Sequence, residues 1–452
     1  MVAPLPGGLD TSLLINDNNP ELVRAPGILI SSFDPARGWN GQPLGVSSAH
    51  LNRPLNGSFG LFSHHVVAGD KSPVGTQLWL AVVAAPRSSA AVRLDLVRGF
   101  TALSQAPTGG SNQPDAPFLP LPPLLEQGML PIWAGPGGRV ATELLDRGRS
   151  PLLPGSWTLP PGQLTALMVL PLPVTGMDPP LNGRNLQLRL ASDGPVDVAT
   201  LAAFVPGDQP PDPAAWAQLL QGDLSPREHP PSPRGSNGPM IYSRVSGIQK
   251  GQIWQGRLAA PGLSDLPFSQ APISWPLASL ERGTLGSDQV QTASLERAYP
   301  GTAWAAHGNY GVEYDLRLPL RNDTTARRSL QLALESPLKG DKPVGGLRFY
   351  RQPGKAVTFR GTVEVTGLDG PQGDAEGRRR FHVVLRSGEV GPALGSISLA
   401  PGARRELRVR LIYPADATPP QVLSLLPLMP AGSSGEAQGL VKQSPTPPAI
   451  AP

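Results

Sequence analysis

Three histidines, His50, His64 and His65, fall within sixteen residues of the stretch SAHLNRPLNGSFGLFSHHVV. Imidazoles at that density are the raw material of a zinc site or of a general base. Asn56-Gly57 is the dipeptide of a two-residue hairpin turn, where both central residues need φ > 0. On the register it sets, His50 and His65 share a face as a diagonal pair about 7–8 Å apart. Ser48, Asn52 and Ser63 are their neighbours there. His64 points to the opposite face beside Ala49, Leu51 and Phe62. His50 and His65 lack a third zinc ligand, so the expectation is no cofactor, with a divalent metal on this pair as the alternative.

Carboxylates give two further candidates. A glycosidase needs two acids roughly 5–10 Å apart, and Glu313 and Asp315 alternate along VEYDLRLPL at that spacing. Sharing their face with Arg317, they read as a solvated strand surface. Asp369, Asp374 and Glu376 sit in GLDGPQGDAEG, a Gly-rich loop with oxygen ligands but without the EF-hand spacing. The cationic candidates are stronger. Arg378, Arg379 and Arg380 open one strand, and Arg404, Arg405, Arg408 and Arg410 lie on or beside another. In ELRVRLIY, Leu407, Val409 and Leu411 face inward while Arg408 and Arg410 face outward. If the two strands are neighbours, Arg378, Arg380, Arg404, Arg408 and Arg410 form a binding patch for sulfate, carboxylate or phosphate groups. Trp39, Trp254 and Trp304, in Gly-rich or polar contexts, are candidate sugar platforms.

The elements that must hold these residues are strands. Fifty-six prolines and 52 glycines in 452 residues are about twice the usual share. They punctuate clean alternating runs such as TQLWLAVVAAP, AAVRLDLVRGF, NLQLRLAS and VDVATLAAF, a pattern disordered chains lack. In VEYDLRLPLRNDTTARRSLQLALES, two alternating runs flank a polar turn, which predicts an antiparallel hairpin with one buried face. A short helix is predicted at Ala141–Asp146, ended by Gly148. A second, in PPDPAAWAQLLQGD, has Asp212 as N-cap, Pro213 at the first position and Gly222 beyond the end. The fold class is mainly β, in two antiparallel sandwich-like domains with long Pro/Gly-rich loops. The expected division is an N-terminal β domain over 1–205 with a Pro-rich insertion at about 107–173, a linker with a short helix over 206–240, a C-terminal sandwich over 241–430 and a flexible tail over 431–452.

Charge and composition exclude several classes. The net charge of +4, from 38 basic and 34 acidic residues, gives no field for nucleic acid. Cysteine is absent, which removes disulfides, thiolate metal sites and a Cys nucleophile. No run of 18 apolar residues spans a membrane as a helix. No G-x-S-x-G elbow, H-E-x-x-H helix, Walker loop or G-x-G-x-x-G appears in a suitable setting.

The phrases SAHLNRPLNGSFGLFSHH, GPMIYSRVSGIQKGQIWQG, YGVEYDLRLPL, TFRGTVEV and RLIYPADATPPQVLSL resemble a bacterial family found chiefly in cyanobacteria. That family carries domain-of-unknown-function number three-three-seven-zero, and the likeness runs from near residue 10 to about 427. Its members typically begin with secretion signals, so the resemblance implies an extracytoplasmic protein of the periplasm, outer envelope or cell surface. The start MVAPLPGGLD has no signal-peptide character, which on this reading places Met1 before a mature chain. The resemblance brings no catalytic residues. The expected function is a non-catalytic envelope or surface protein, structural or holding an anionic polysaccharide or an envelope protein. The alternatives are a metal- or carboxylate-dependent hydrolase of envelope polysaccharide and a subunit of a larger assembly.

Overall fold

The computed structural model describes residues 1–105, 135–306, 308–342, 345–375 and 377–428. Most of the Pro-rich insertion before Gly135, Glu376 of the Gly-rich loop and the tail therefore lie outside the described residues. Alternation of apolar and polar side chains dictates strands almost throughout, and the molecule is mainly β. In chain order the strands are β1 (Gly8–Leu9), β2 (Leu13–Leu22), β3 (Gly27–Ser31), β4 (Leu55–Ala68), β5 (Thr76–Pro86), β6 (Val92–Leu103), β7 (Ser156–Leu159), β8 (Thr165–Leu172) and β9 (Leu181–Pro206). They continue with β10 (Val245–Lys250), β11 (Ile253–Arg257), β12 (Leu266–Pro267), β13 (Ile273–Leu277), β14 (Leu295–Ala298) and β15 (Glu313–Arg321). The last six are β16 (Arg328–Glu335), β17 (Val357–Thr366), β18 (Arg378–Arg386), β19 (Ala393–Leu399), β20 (Arg404–Ile412) and β21 (Gln421–Pro427). Among the described residues two α-helices accompany them, α1 (Pro136–Asp146) and α2 (Pro213–Leu220).

A ten-stranded sheet is built on β9, whose 26 residues change partners midway. Its first half pairs with β4 and β6, its second with β5 and β3. The sheet thus folds over itself, and Ile15, Leu61 and Leu188 meet Ile30, Val82 and Val198 inside. The later strands β10 and β14 add to its edge beside β2. A seven-stranded sheet, with the order β1-β11-β15-β20-β17-β18 and β12 beside β15, stacks on a four-stranded sheet, β13-β21-β16-β19. Between them lies the largest apolar core, including Tyr314, Leu318, Val409, Leu330 and Leu423.

The hairpin expected over 312–336 does not form. Val312, Tyr314, Leu316, Leu318 and Leu320 do share a buried face. However, β15 pairs with β11, β12 and β20, whereas β16 pairs with β19 and β21 in the opposing sheet. A one-sided apolar pattern is satisfied equally by two strands side by side or by two stacked face to face about 10 Å apart. The turn at Asn322 crosses that gap, its side-chain amide donating to the carbonyls of Ala326 and Leu399 at 2.8 Å each.

Contact between the two assemblies has a polar seam and an apolar flank. Arg189 donates to the carbonyls of Gln252 (3.1 Å) and Gly311 (3.0 Å), and Gln187 to Gly311 (2.6 Å). Gly311 has φ +76°, and a Cβ there would come within 2.5 Å of the Phe62 ring. Helix α1 wedges beside this contact, burying Val140, Ala141, Leu144 and Leu145 against Phe100, Ala102 and Ile412. It begins five residues before the expected start, with Pro136 in its first turn. Asp416 caps it, accepting from the amides of Gly138 (2.7 Å) and Gly137 (3.4 Å). Helix α2 starts after Asp212, as the sequence predicts.

Candidate functional site

The outer face of the seven-stranded sheet collects the arginines. Side chains directly opposite across paired strands share a face. The register therefore defines a row: Arg257 on β11, Arg317 on β15, Arg408 on β20, Thr366 on β17 and Arg378 on β18. One step along the strands lies a second row, Gln255, Asp315, Arg410, Glu364 and Arg380. The strands carrying the two arginine clusters are thus separated by β17, which places Glu364 between Arg410 and Arg380.

The second row is a buried-end charge ladder. Glu313 takes Arg98 at 2.7 Å and Arg410 at 2.6 Å, and Arg410 reaches Glu364 at 3.0 Å. Glu364 also meets Arg380 at 3.3 Å, whose other partner is Asp146 at the end of α1. Glu313 is 4% exposed, so the expected solvated face is corrected at this end, where β6 and α1 cover it. Burial pushes its carboxyl up, but Arg98 and Arg410 prevail and hold it below the usual range. Asp315 is likewise held low, first by the two 2.7 Å bonds from Arg408. The general acid of a glycosidase needs a carboxyl held high, and both of these are held low.

The first row is different. Its arginine side chains are between 44 and 56% exposed, against 20% for Arg410 and 24% for Arg380. Arg257 (2.9 Å) and Arg317 (3.4 Å) share Glu406, Arg408 holds Asp315, and Arg378 approaches Glu364 at 3.6 Å. Glu364 already serves Arg380 and Arg410, so cations exceed carboxylates. A depression of about 290 Å³, lined by Gln255, Gly256, Arg257, Asp315 and Arg317, adjoins the row. Of the sequence candidates, Arg378 and Arg408 lie in this row and Arg380 and Arg410 in the ladder. Arg404 stands apart, sharing Asp265 with Arg321. Sequence reasoning left Arg257 and Arg317 out of the patch. Their signal was outward alternation, but only strand order joins them to Arg408. In the Gly-rich loop, Asp369 is occupied by Arg405 and by the Ser398 amide.

The histidines separate. Asn56-Gly57 makes no hairpin: Leu55–Ala68 is one strand, and Gly57, at φ +64°, marks a register shift against β9. The preceding residues cannot form a partner strand. Ser47–Ala49 is a 3₁₀ turn, Asn52 is left-handed at φ 47°, and Pro54 has no N–H to donate. His50 thus sits outside the strand, its Nδ1 2.7 Å from Ser31 Oγ. His65 lies in β4 with Nε2 2.8 Å from Asp17 Oδ2, which also accepts from Thr200 (2.6 Å) and Ser63 (3.2 Å). This has the composition of a nucleophilic triad but not its connectivity, since Ser63 bonds the acid rather than the imidazole. Asp17 and His65 are both fully buried. Burial pushes the Asp17 carboxyl up, but His65, Thr200 and Arg244 hold it below its ordinary value. Among the described residues, the group of three that could share a metal is Glu21, Glu228 and His229, without His50 or His65. The Arg24 guanidinium already sits on Glu228.

Of the expected sugar platforms, Trp254 is buried against Tyr314 and Trp39 packs against an apolar cluster. Trp304 lines a separate cleft of about 220 Å³. No described helix is long and apolar enough to cross a membrane.

The chain belongs to the family described as protein of unknown function (DUF3370), whose model matches residues 1–427. A comparison with curated proteins returns no match.

Proposed function

We propose that this chain is a non-catalytic, extracytoplasmic envelope or surface protein that holds a linear anionic glycan across the outer face of its seven-stranded sheet. The observation that carries this reading is the row Arg257–Arg317–Arg408–Thr366–Arg378. Like charges directly opposite on paired strands destabilise a sheet. Here two such pairs, Arg257 with Arg317 and Arg317 with Arg408, stand side by side. A face designed only for solubility alternates sign; a row that breaks the local rule suits a ligand that repays it.

With strands about 4.8 Å apart, the four guanidiniums reach across about 19 Å. That span suits a polymer bearing repeated sulfate or carboxylate groups, which planar guanidinium forks bind bidentately. The pairs of Arg257 and Arg317 with the 42% exposed Glu406 are surface pairs, worth about 0–1 kcal/mol each, so incoming anions exchange with them at little cost, whereas Arg408 stays bidentate on the more buried Asp315. The extracytoplasmic setting is where sulfated and uronate polymers occur.

Retention on immobilised dextran sulfate against uncharged dextran tests the reading. The native chain is expected to bind the first and elute with salt. Equal behaviour on both matrices would refute it.

A further inference from the structure

A cleft stands apart from the arginine row, with no lining residue in common with it. The loop around Arg234–Tyr242, the segment Leu280–Leu295 and Trp304–Ala306 enclose the cleft of about 220 Å³. Its apolar walls are Trp304, Leu280, Val290 and Tyr242, of which Val290 is 46% and Tyr242 38% exposed. Large apolar groups left open to solvent beside a concavity mark ligand sites.

The polar part is pre-organised. The Arg234 guanidinium lies 5.3 Å from the centre of the Trp304 ring and is tied to Glu281 at 2.7 Å. Trp304 is anchored in turn, its indole N–H donating to the Ser232 carbonyl at 3.4 Å. Arg282 donates to the Gly238 carbonyl, and Thr292 and Ser294 bring hydroxyls to the opposite wall. Donors and acceptors therefore stand side by side next to aromatic surface. Arg234 is held by Glu281, which is 28% exposed against 42% for the Glu406 of the arginine row, and Arg282 is held by the Gly238 carbonyl, so a lone anion gains less here than on that row. A sugar ring, with C–H faces and hydroxyl edges that both donate and accept, uses all three surfaces at once.

We propose that the cleft formed by Trp304, Tyr242 and the Arg234–Glu281 pair is a subsite for one neutral pyranose residue. The volume of the cleft admits a pyranose ring.

The test is a titration of the full chain with glucose, galactose, mannose, N-acetylglucosamine and their β-linked disaccharides, read by saturation-transfer NMR and tryptophan fluorescence. Saturable binding of at least one neutral sugar is expected. It falls tenfold or more in Trp304→Ala and in Ser294→Trp, which fills the cleft from its exposed rim and leaves the core untouched. It persists in Arg257→Ser/Arg317→Ser, which removes the arginine row alone, so failure here and failure of the glycan-row reading are distinguishable. No saturable binding across the panel, undiminished binding in Ser294→Trp, or tighter binding of glucuronate than of glucose would each overturn the proposal.

Discussion

Asp17 is a fully buried residue on which three side-chain hydrogen bonds converge without any solvent to replace them. Its Oδ2 accepts from His65, Thr200 and Ser63, all within the fold of the ten-stranded sheet. Asp17→Ala strands those three donors, and breaking a buried charged network typically costs about 3–5 kcal/mol. A large drop in the midpoint of thermal or urea unfolding is expected; a change within the error of the native value would contradict this role. His50 supports a pH prediction of defined sign. Burial lowers its pKa to about 4, whereas the unfolded imidazole takes its proton near 6.5. Between those values the unfolded state binds more protons, so this group's contribution to stability is full above 6.5 and is lost as pH falls towards 4. The stability gap between the native chain and His50→Gln should therefore narrow over that window. A gap that is constant with pH would show that His50 titrates normally.

At the scale of elements, helix α1 depends on a residue almost 280 positions away. Asp416 satisfies two of its first-turn amides, and the glycines at 135 and 137 leave no room for a Cβ beside Asp416 and Ala415. Asp416→Ala is expected to lower stability by about 1–2 kcal/mol, with hydrogen exchange faster in α1 than in β9. Uniform exchange across both would contradict it. The same scale shows what the sequence could reveal. Alternation in Arg404–Ile412 gives the strand and its buried face, because side-chain direction is local, whereas the apolar run Thr76–Pro86 gives a strand buried on both faces. Neither pattern can choose partners. The run from Val312 to Glu335 has the pattern of a hairpin yet divides between opposing sheets. Asn56-Gly57 has the chemistry of a turn yet lies inside β4, because a turn also needs a competent strand on each side. The arginine row was half legible for the same reason. Arg378 and Arg408 are patch candidates in the sequence, but Arg257 enters only through the parallel pairing of β11 with β15, a contact between distant segments.

The whole molecule places a hydrogen-bonded seam, flanked by the apolar packing of α1, between two layered assemblies and leaves the arginine row on an outer face. Gly311 sits at that contact in a left-handed conformation against Phe62. Gly311→Val combines backbone strain with overpacking, for which about 2–4 kcal/mol is expected; native stability in this variant would show that the two assemblies do not press together there.

The central claim concerns polyanion binding, and its most direct test is the salt dependence of dextran sulfate affinity. Guanidiniums that neutralise a polyanion release its counterions, so log Kd varies linearly with log salt, in proportion to the contacts made. Arg257→Ser/Arg317→Ser is expected to bind at least tenfold more weakly at low salt, with a slope reduced by about 1–2 and an unchanged unfolding midpoint. The same affinity and the same slope in the native chain and the double variant would contradict it.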